Sequence, residues 1–443
     1  MAAERALTFG QQLSYAVGNM GVGLLPTLIG SWAMYYFSPP PGEGLPSYIP
    51  LMVVGWVLFI GRLGEAIINP FIGYWSDRTR SKLGRRIPYI MYGTLPMTIA
   101  AVLMWFPLVH RESMINAAWV AVMMTGMCVL FAVVVAPYLS LLPELTPYND
   151  ERIRLSSIMA VFEIVGLLLA GGAAGVVIDA WKTGVPGLPA AFNGFNLSAM
   201  AVGALTLAAF YTTAFRVKER EFTPSKEVSF GFRASFGESL KNSAFPPYLF
   251  MVVAFRIGID TVVVVIPYMV TTVMGGTELH AGFIQMGIML AAIALFYPVT
   301  ILSDRLGKKK CFLVGSLGFL VVMPLVVTIG KWPFLSPMAQ GIVVFLLAAF
   351  PAATFSVLPR PLLADIIDHD EKLTTYRREA MYNGVEGLFT RSASGLAWVL
   401  SATLFYLFGN SAENPLGVLL CGPVAAVFIL AGTLVFRKYP FER

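Results

Sequence analysis

Long apolar runs, each broken by a short polar loop, follow one another along the whole 443-residue chain. A helix needs about 20 apolar residues to cross the hydrocarbon of a bilayer. Twelve runs meet that length, near residues 10–37, 48–77, 87–109, 115–143, 154–181, 194–216, 244–274, 280–303, 311–330, 336–367, 376–408 and 414–437. The pattern predicts an all-α integral membrane protein with twelve transmembrane helices. Composition points the same way: 57% of residues are apolar and 13% charged, and the mean hydropathy is +0.73, outside the range of a soluble domain.

Charge adds orientation, because Lys and Arg of short loops stay on the cytoplasmic side. One alternate set of loops holds Arg78, Arg80, Lys82, Arg85 and Arg86, then Arg152 and Arg154, Arg216 to Lys241, Arg305 and Lys308 to Lys310, and Lys372, Arg377 and Arg378. The other holds only Arg111, Lys182 and Lys331. Both termini are therefore expected in the cytoplasm, in a multi-pass protein of the cell's inner membrane. The same asymmetry accounts for the net charge of +6, so no nucleic-acid partner is expected. No cleavable signal peptide is visible, and the first helix is expected to be its own anchor. Cys128, Cys311 and Cys421 lack metal-ligand spacing and are read as small apolar packers. His110, His280 and His369 are isolated, so no reactive cluster marks an enzyme.

The chain repeats itself. Ser76-Asp77-Arg78 recurs about half a chain later as Ser303-Asp304-Arg305, and the stretch from Leu142 is echoed at nearly the same offset from Leu363. Two pseudo-symmetric six-helix bundles follow, 1–216 and 243–443, joined by a cytoplasmic linker at 217–242. Such parallel repeats place a solute site near the bilayer midplane. The paired Asp77 and Asp304 loops, with Arg78, Arg85, Arg86 and Arg305, are read as a cytoplasmic gate. Glu144, Asp150, Glu151, Arg152 and Arg154, with Asp365, Asp368, Asp370, Glu371, Arg377 and Arg378, extend it, although an exposed charged loop has the same sequence pattern.

An ionisable group at bilayer depth costs about 2.5–3.5 kcal/mol even on the lenient insertion scale, so it is kept mainly where it faces a partner or water. The candidates are Arg62 and Glu65 in the second segment, Glu163 in the fifth, Arg256 and Asp260 in the seventh, Arg360 in the tenth, and Glu386 and Arg391 in the eleventh. Arg62/Glu65 at i,i+3 and Arg256/Asp260 at i,i+4 can each meet on one helix face. Each pair is then either a self-neutralised structural element or part of a site.

Residues 72–90, Ile-Gly-Tyr-Trp-Ser-Asp-Arg-Thr-Arg-Ser-Lys-Leu-Gly-Arg-Arg-Ile-Pro-Tyr-Ile, resemble the loop between helices II and III of the major facilitator superfamily. Their wording is similar to that of the glycoside-pentoside-hexuronide cation symporters, a branch that includes sodium-dependent lysophospholipid carriers. The resemblance returns at Ala364 to Glu371 and Arg377 to Gly384, so it reaches both halves. It implies a secondary transporter working by alternating access, expected to act as a monomer without a cofactor. Gly61 to Pro70 resembles the family's cation motif, with Glu65 at the first acidic position and Asn69 at the second. Asn69 offers an amide oxygen but no charge, and a hard sodium ion favours anionic oxygens. The coupling ion is left as sodium, held at Glu65, or a proton.

Arg391 falls where the family carries an essential lysine, and as a permanently charged planar donor it either holds Glu65 or clasps the solute. The alternative is a snorkelling Arg391, or one paired only with Glu386. The positions of the melibiose-type sugar clamp correspond to Gly23, Val135 and Ala160, so that clamp is missing. A sugar site needs convergent hydrogen-bonding groups. Glu163, Asp260, Arg256, Glu386 and Arg391 are the candidates, with Trp32 and Tyr35 either stacking on a pyranose face or anchoring at the interface. A sugar or glycoside is the expected substrate, a lysophospholipid the alternative, and a carrier-fold nutrient receptor the reading from another class.

Overall fold

In the computed structural model the described residues are 7–146, 149–189, 192–217, 237, 239–374 and 378–441. Arg377, the side chain of Asp77 and most of the 217–242 linker lie outside them. Among the described residues the fold is all-helical, and twelve helical stretches fall on the expected segments. They are α1 (Phe9–Phe37), α2 (Leu51–Arg78), α3 (Ile87–Leu103), α4 (Met114–Ser140), α5 (Asp150–Ala180), α6 (Gly194–Arg216) and α7 (Phe245–Thr272). There follow α8 (Glu278–Ala294 and Phe296–Leu306), α9 (Lys308–Thr328), α10 (Pro337–Thr374), α11 (Glu379–Phe408) and α12 (Leu416–Phe436). Among the described residues nine of these are long and apolar enough to cross a membrane alone, ten with the two parts of α8 taken together. The other two are α3, short at 17 residues, and α11, 30 residues long but carrying Glu386 and Arg391. The third segment thus ends before the expected residue 109, and α10 continues past the expected 367 into a polar, amphipathic extension.

Local chemistry explains the ends and breaks. Ser113, Asn193 and Ser336 cap α4, α6 and α10 by accepting backbone N–H bonds. The 42° bend in α8 at Leu295 precedes Pro298, which cannot donate to the Ala294 carbonyl. Between α2 and α3, Ser81 Oγ donates to the Gly84 carbonyl at 2.7 Å, and Gly84 takes φ +103°. Gly307, at the matching place in the α8–α9 loop, takes φ +87°. A side chain at either position would strain the turn.

The chain divides into two compact units: residues 1–36, 46–50 and 60–227, and residues 37–45, 51–59 and 228–443. In the first unit α1 packs closely on α5. A Cβ at Gly23 would lie 2.9 Å from the Glu163 carbonyl oxygen, and one at Gly166 would lie 2.5 Å from the Met20 carbonyl oxygen. Each of these helices also contains one widened π-type turn, Ile29–Ala33 and Leu168–Ala173. The two turns are joined where Trp32 Nε1 donates to the Gly171 carbonyl at 3.2 Å. In the second unit, Tyr268 of α7 donates to the Ser38 carbonyl at 2.8 Å.

Because the Gly166 contact is with backbone, it has no side chain to yield. Gly166→Ala is expected to lower stability by about 1–3 kcal/mol, while Gly126→Ala, with nothing within 4 Å of the added carbon, is expected to be tolerated. Thermal unfolding of the two purified variants checks the difference.

Candidate functional site

Several of the ionisable groups in the spans meet a partner on their own or an adjoining helix. On α2, Arg62 Nη1 lies 2.9 Å from Glu65 Oε2, and the Glu65 side chain is 3% exposed. Cys128 of α4 lies within electrostatic reach of both. Asn69, one turn beyond Glu65, is half-buried. On α5, Glu163 Oε2 accepts from Asn19 Nδ2 of α1 at 3.0 Å, and the same amide donates to the Met159 carbonyl at 3.0 Å.

In the second unit, Arg256 Nε of α7 donates to Asp260 Oδ2 at 2.7 Å and to Ser394 Oγ of α11 at 2.8 Å. The Arg256 side chain is 40% exposed, and a charge left open in a span favours water over acyl chains. On α11, Glu386 Oε1 lies 3.1 Å from the Tyr248 hydroxyl, which is also 3.0 Å from the Pro359 carbonyl oxygen. Arg391 leans back one turn toward the start of its helix, as helical side chains do. Its Nη1 would be 2.6 Å from a Cβ at Gly387, so the missing side chain there makes its berth. Arg360 is exposed.

At the end that carries the basic loops, Glu144 is held by Arg85 and by Arg86 Nη2, the latter at 3.0 Å. In the other half, Lys308 Nζ reaches both oxygens of Asp365 at 2.6 and 2.7 Å. Arg85 directly follows Gly84 as Lys308 directly follows Gly307, and Glu144 and Asp365 share a place in the echoed stretches that begin at Leu142 and Leu363. The duplication thus repeats an ion pair as well as a motif. Arg378 Nε lies 3.8 Å from Asp370 Oδ2. Arg78, Asp304 and Arg305 are exposed, and among the described residues no ion pair reaches Asp304 or Arg305. Burial, and then the Asp365 charge, push the Tyr439 phenol up, keeping it a neutral donor to the Leu362 carbonyl at 3.1 Å.

A family profile described as MFS/sugar transport protein matches residues 14–443. The chain belongs to this family. The isoprimeverose transporter of Lactiplantibacillus pentosus is 23% identical over 93% of this chain and 83% of its own length. The sodium-dependent lysophosphatidylcholine symporter 1-A of Danio rerio is 22% identical over 99% and 87%. Among solved structures, a D-xylose-proton symporter superposes with a TM-score of 0.68 over 98% of both chains at 15% identity, a likeness of fold. This is a family of membrane transporters, not of enzymes.

Within this MFS/sugar transport member, Trp32 and Tyr35 are fully buried. Their rings pack with Phe195 at 6.4 and 6.3 Å, in a cluster that continues through Tyr36, Tyr48 and Trp105. Stacking on a sugar requires them to leave it. Gly23, the family's acidic position, has no room for any side chain. The amide one turn earlier, Asn19, serves α1 instead. Asn19, Tyr248 and Ser394 escape a search for ionisable groups at bilayer depth, and Lys308 was legible only as loop charge. Uncharged polar residues inside apolar runs are the signal that points to the first three.

Glu386 is bonded to Tyr248, and Arg391 stands more than one helical turn further along α11, off its face. The stability losses of Arg391→Ala and Glu386→Ala are therefore expected to add within about 0.5 kcal/mol in the double variant. Thermal unfolding of the three variants measures this, and recovery in the double variant would instead make them a pair.

Proposed function

We propose that the protein is a cation-coupled symporter that accumulates a small sugar or glycoside by alternating access. The Arg256–Asp260–Ser394 group carries this reading. It is an ionised pair and a hydroxyl on two apolar spans, with the guanidinium 40% exposed, and it offers both donors and acceptors to a polyhydroxy solute. The family description and the isoprimeverose-transporting relative support the same substrate class. Arg391 is assigned to the solute as well. Glu65 is assigned to the coupling ion, sodium or a proton, with Asn69 as a neutral oxygen donor and Arg62 as the counter-charge in the empty carrier. The basic loops are placed in the cytoplasm, with both termini, in the inner membrane. Asp77, Arg78, Asp304 and Arg305, together with the Glu144 and Asp365 pairs, are assigned to the cytoplasmic gate.

A second reading has its own support. From Val129 to Ala136, α4 carries no polar side chain, a wall that suits an acyl tail, and the lysophosphatidylcholine symporter aligns along 99% of the chain. Uptake by proteoliposomes tests both readings and separates a carrier from a receptor. Labelled glycosides are expected to accumulate against a gradient and lysophosphatidylcholine is not. Glu65→Gln is expected to abolish accumulation while leaving solute exchange in place. Full concentrative uptake by Glu65→Gln would move the coupling role elsewhere, and uptake confined to the lysolipid would replace the substrate.

A further inference from the structure

We propose that Glu386 binds a proton in the folded carrier, and that this proton decides whether α7 is tied to both α10 and α11 or to α11 alone. Tyr248 of α7 faces two acceptors, the Pro359 carbonyl of α10 at 3.0 Å and Glu386 Oε1 of α11 at 3.1 Å. A phenol has one proton to donate. With Glu386 ionised, only one of these contacts is a hydrogen bond, and the other sets two oxygens together with no proton between them. When water supplies a proton to the carboxylate, the carboxyl O–H donates to the Tyr248 oxygen and the phenol donates to Pro359. Both contacts are then satisfied. Loss of that proton turns the phenol to the carboxylate, where the bond is charge-assisted and stronger, and releases the Pro359 carbonyl.

The first half shows that this shortage is particular to the second. Glu163 of α5 holds the place in its half that Glu386 of α11 holds in the other, and it is likewise bonded to the first helix of its half. Its donor is an amide with two protons for two acceptors, Glu163 Oε2 and the Met159 carbonyl, so Glu163 is satisfied as a carboxylate. Tyr15 and Tyr138 each donate to the other's carbonyl, at 2.7 and 2.9 Å, one proton per acceptor. The charged group that faces Glu386 from α10 is Arg360. The other titratable groups at this seam are Tyr248 and, acting on it, Tyr439. On α11 itself, the Thr390 hydroxyl donates to the backbone carbonyls of Glu386 and Gly387, at 2.9 and 3.3 Å, and not to the carboxylate.

Infrared difference spectroscopy of the full-length protein in lipid nanodiscs, titrated from acid to alkaline pH without solute, tests the proposal. A protonated-carboxyl stretch that disappears on alkaline titration is expected, retained in Glu65→Gln and lost in Glu386→Gln. Tyr248→Phe, which keeps the carboxyl but removes its acceptor, is expected to shift both the band and its titration midpoint. A spectrum unchanged in Glu386→Gln, or a band that Tyr248→Phe leaves in place, would overturn it. The readout needs no transport, so its failure leaves the symporter reading to be judged by uptake alone.

Discussion

The cost of holding charge among apolar helices is the constraint on which this structure turns. At about 2.5–3.5 kcal/mol for each group on the lenient scale, unpartnered ions in the spans would consume a large part of the folding free energy of an ordinary protein. The chain meets that cost locally. Arg62 and Glu65 neutralise each other on one helix, as do Arg256 and Asp260. Glu163 and Glu386 instead meet uncharged hydrogen-bonding groups on a neighbouring helix. The difference matters for transport, because a carboxylate held by a neutral donor can change its charge without breaking an ion pair.

Duplication supplies the frame around these groups. Both halves place a positive-φ glycine after their second helix and follow it with a base that grips a carboxylate, just past α4 in the first half and within α10 in the second. Each also ties a tyrosine on its first helix to a carbonyl at the end of the fourth helix or in its tenth-helix counterpart. The halves then diverge where chemistry is expected. Close packing of α1 on α5 excludes any side chain at Gly23, whereas the second half sets Arg256 and Asp260 on its first helix. A single architecture thus carries a buried acidic candidate in one half and a half-exposed charged pair in the other.

Much of this was legible in the residues. The spans follow from run length, the repeat from Ser-Asp-Arg, and the two ion pairs from their i,i+3 and i,i+4 spacing. Asn19–Glu163 and Tyr248–Glu386 were not legible, because their partners stand far apart in the chain and nothing local marks which helices adjoin. Trp32 and Tyr35 were ambiguous for a related reason. Aromatics near a helix end look alike in sequence whether they face a solute, the interface or, as here, a packed cluster stabilised by ring contacts. The loop charges were readable but their pairing was not, since Lys308 rather than the Asp304–Arg305 motif meets Asp365.

Charge movement tests the central claim, that a cation crosses with the solute through this fold, most directly. On a solid-supported membrane carrying proteoliposomes, addition of a transported glycoside at equal ion concentration on both sides is predicted to give a transient inward positive current, lost in Glu65→Gln. Glycoside uptake with no current in the unaltered protein would contradict it.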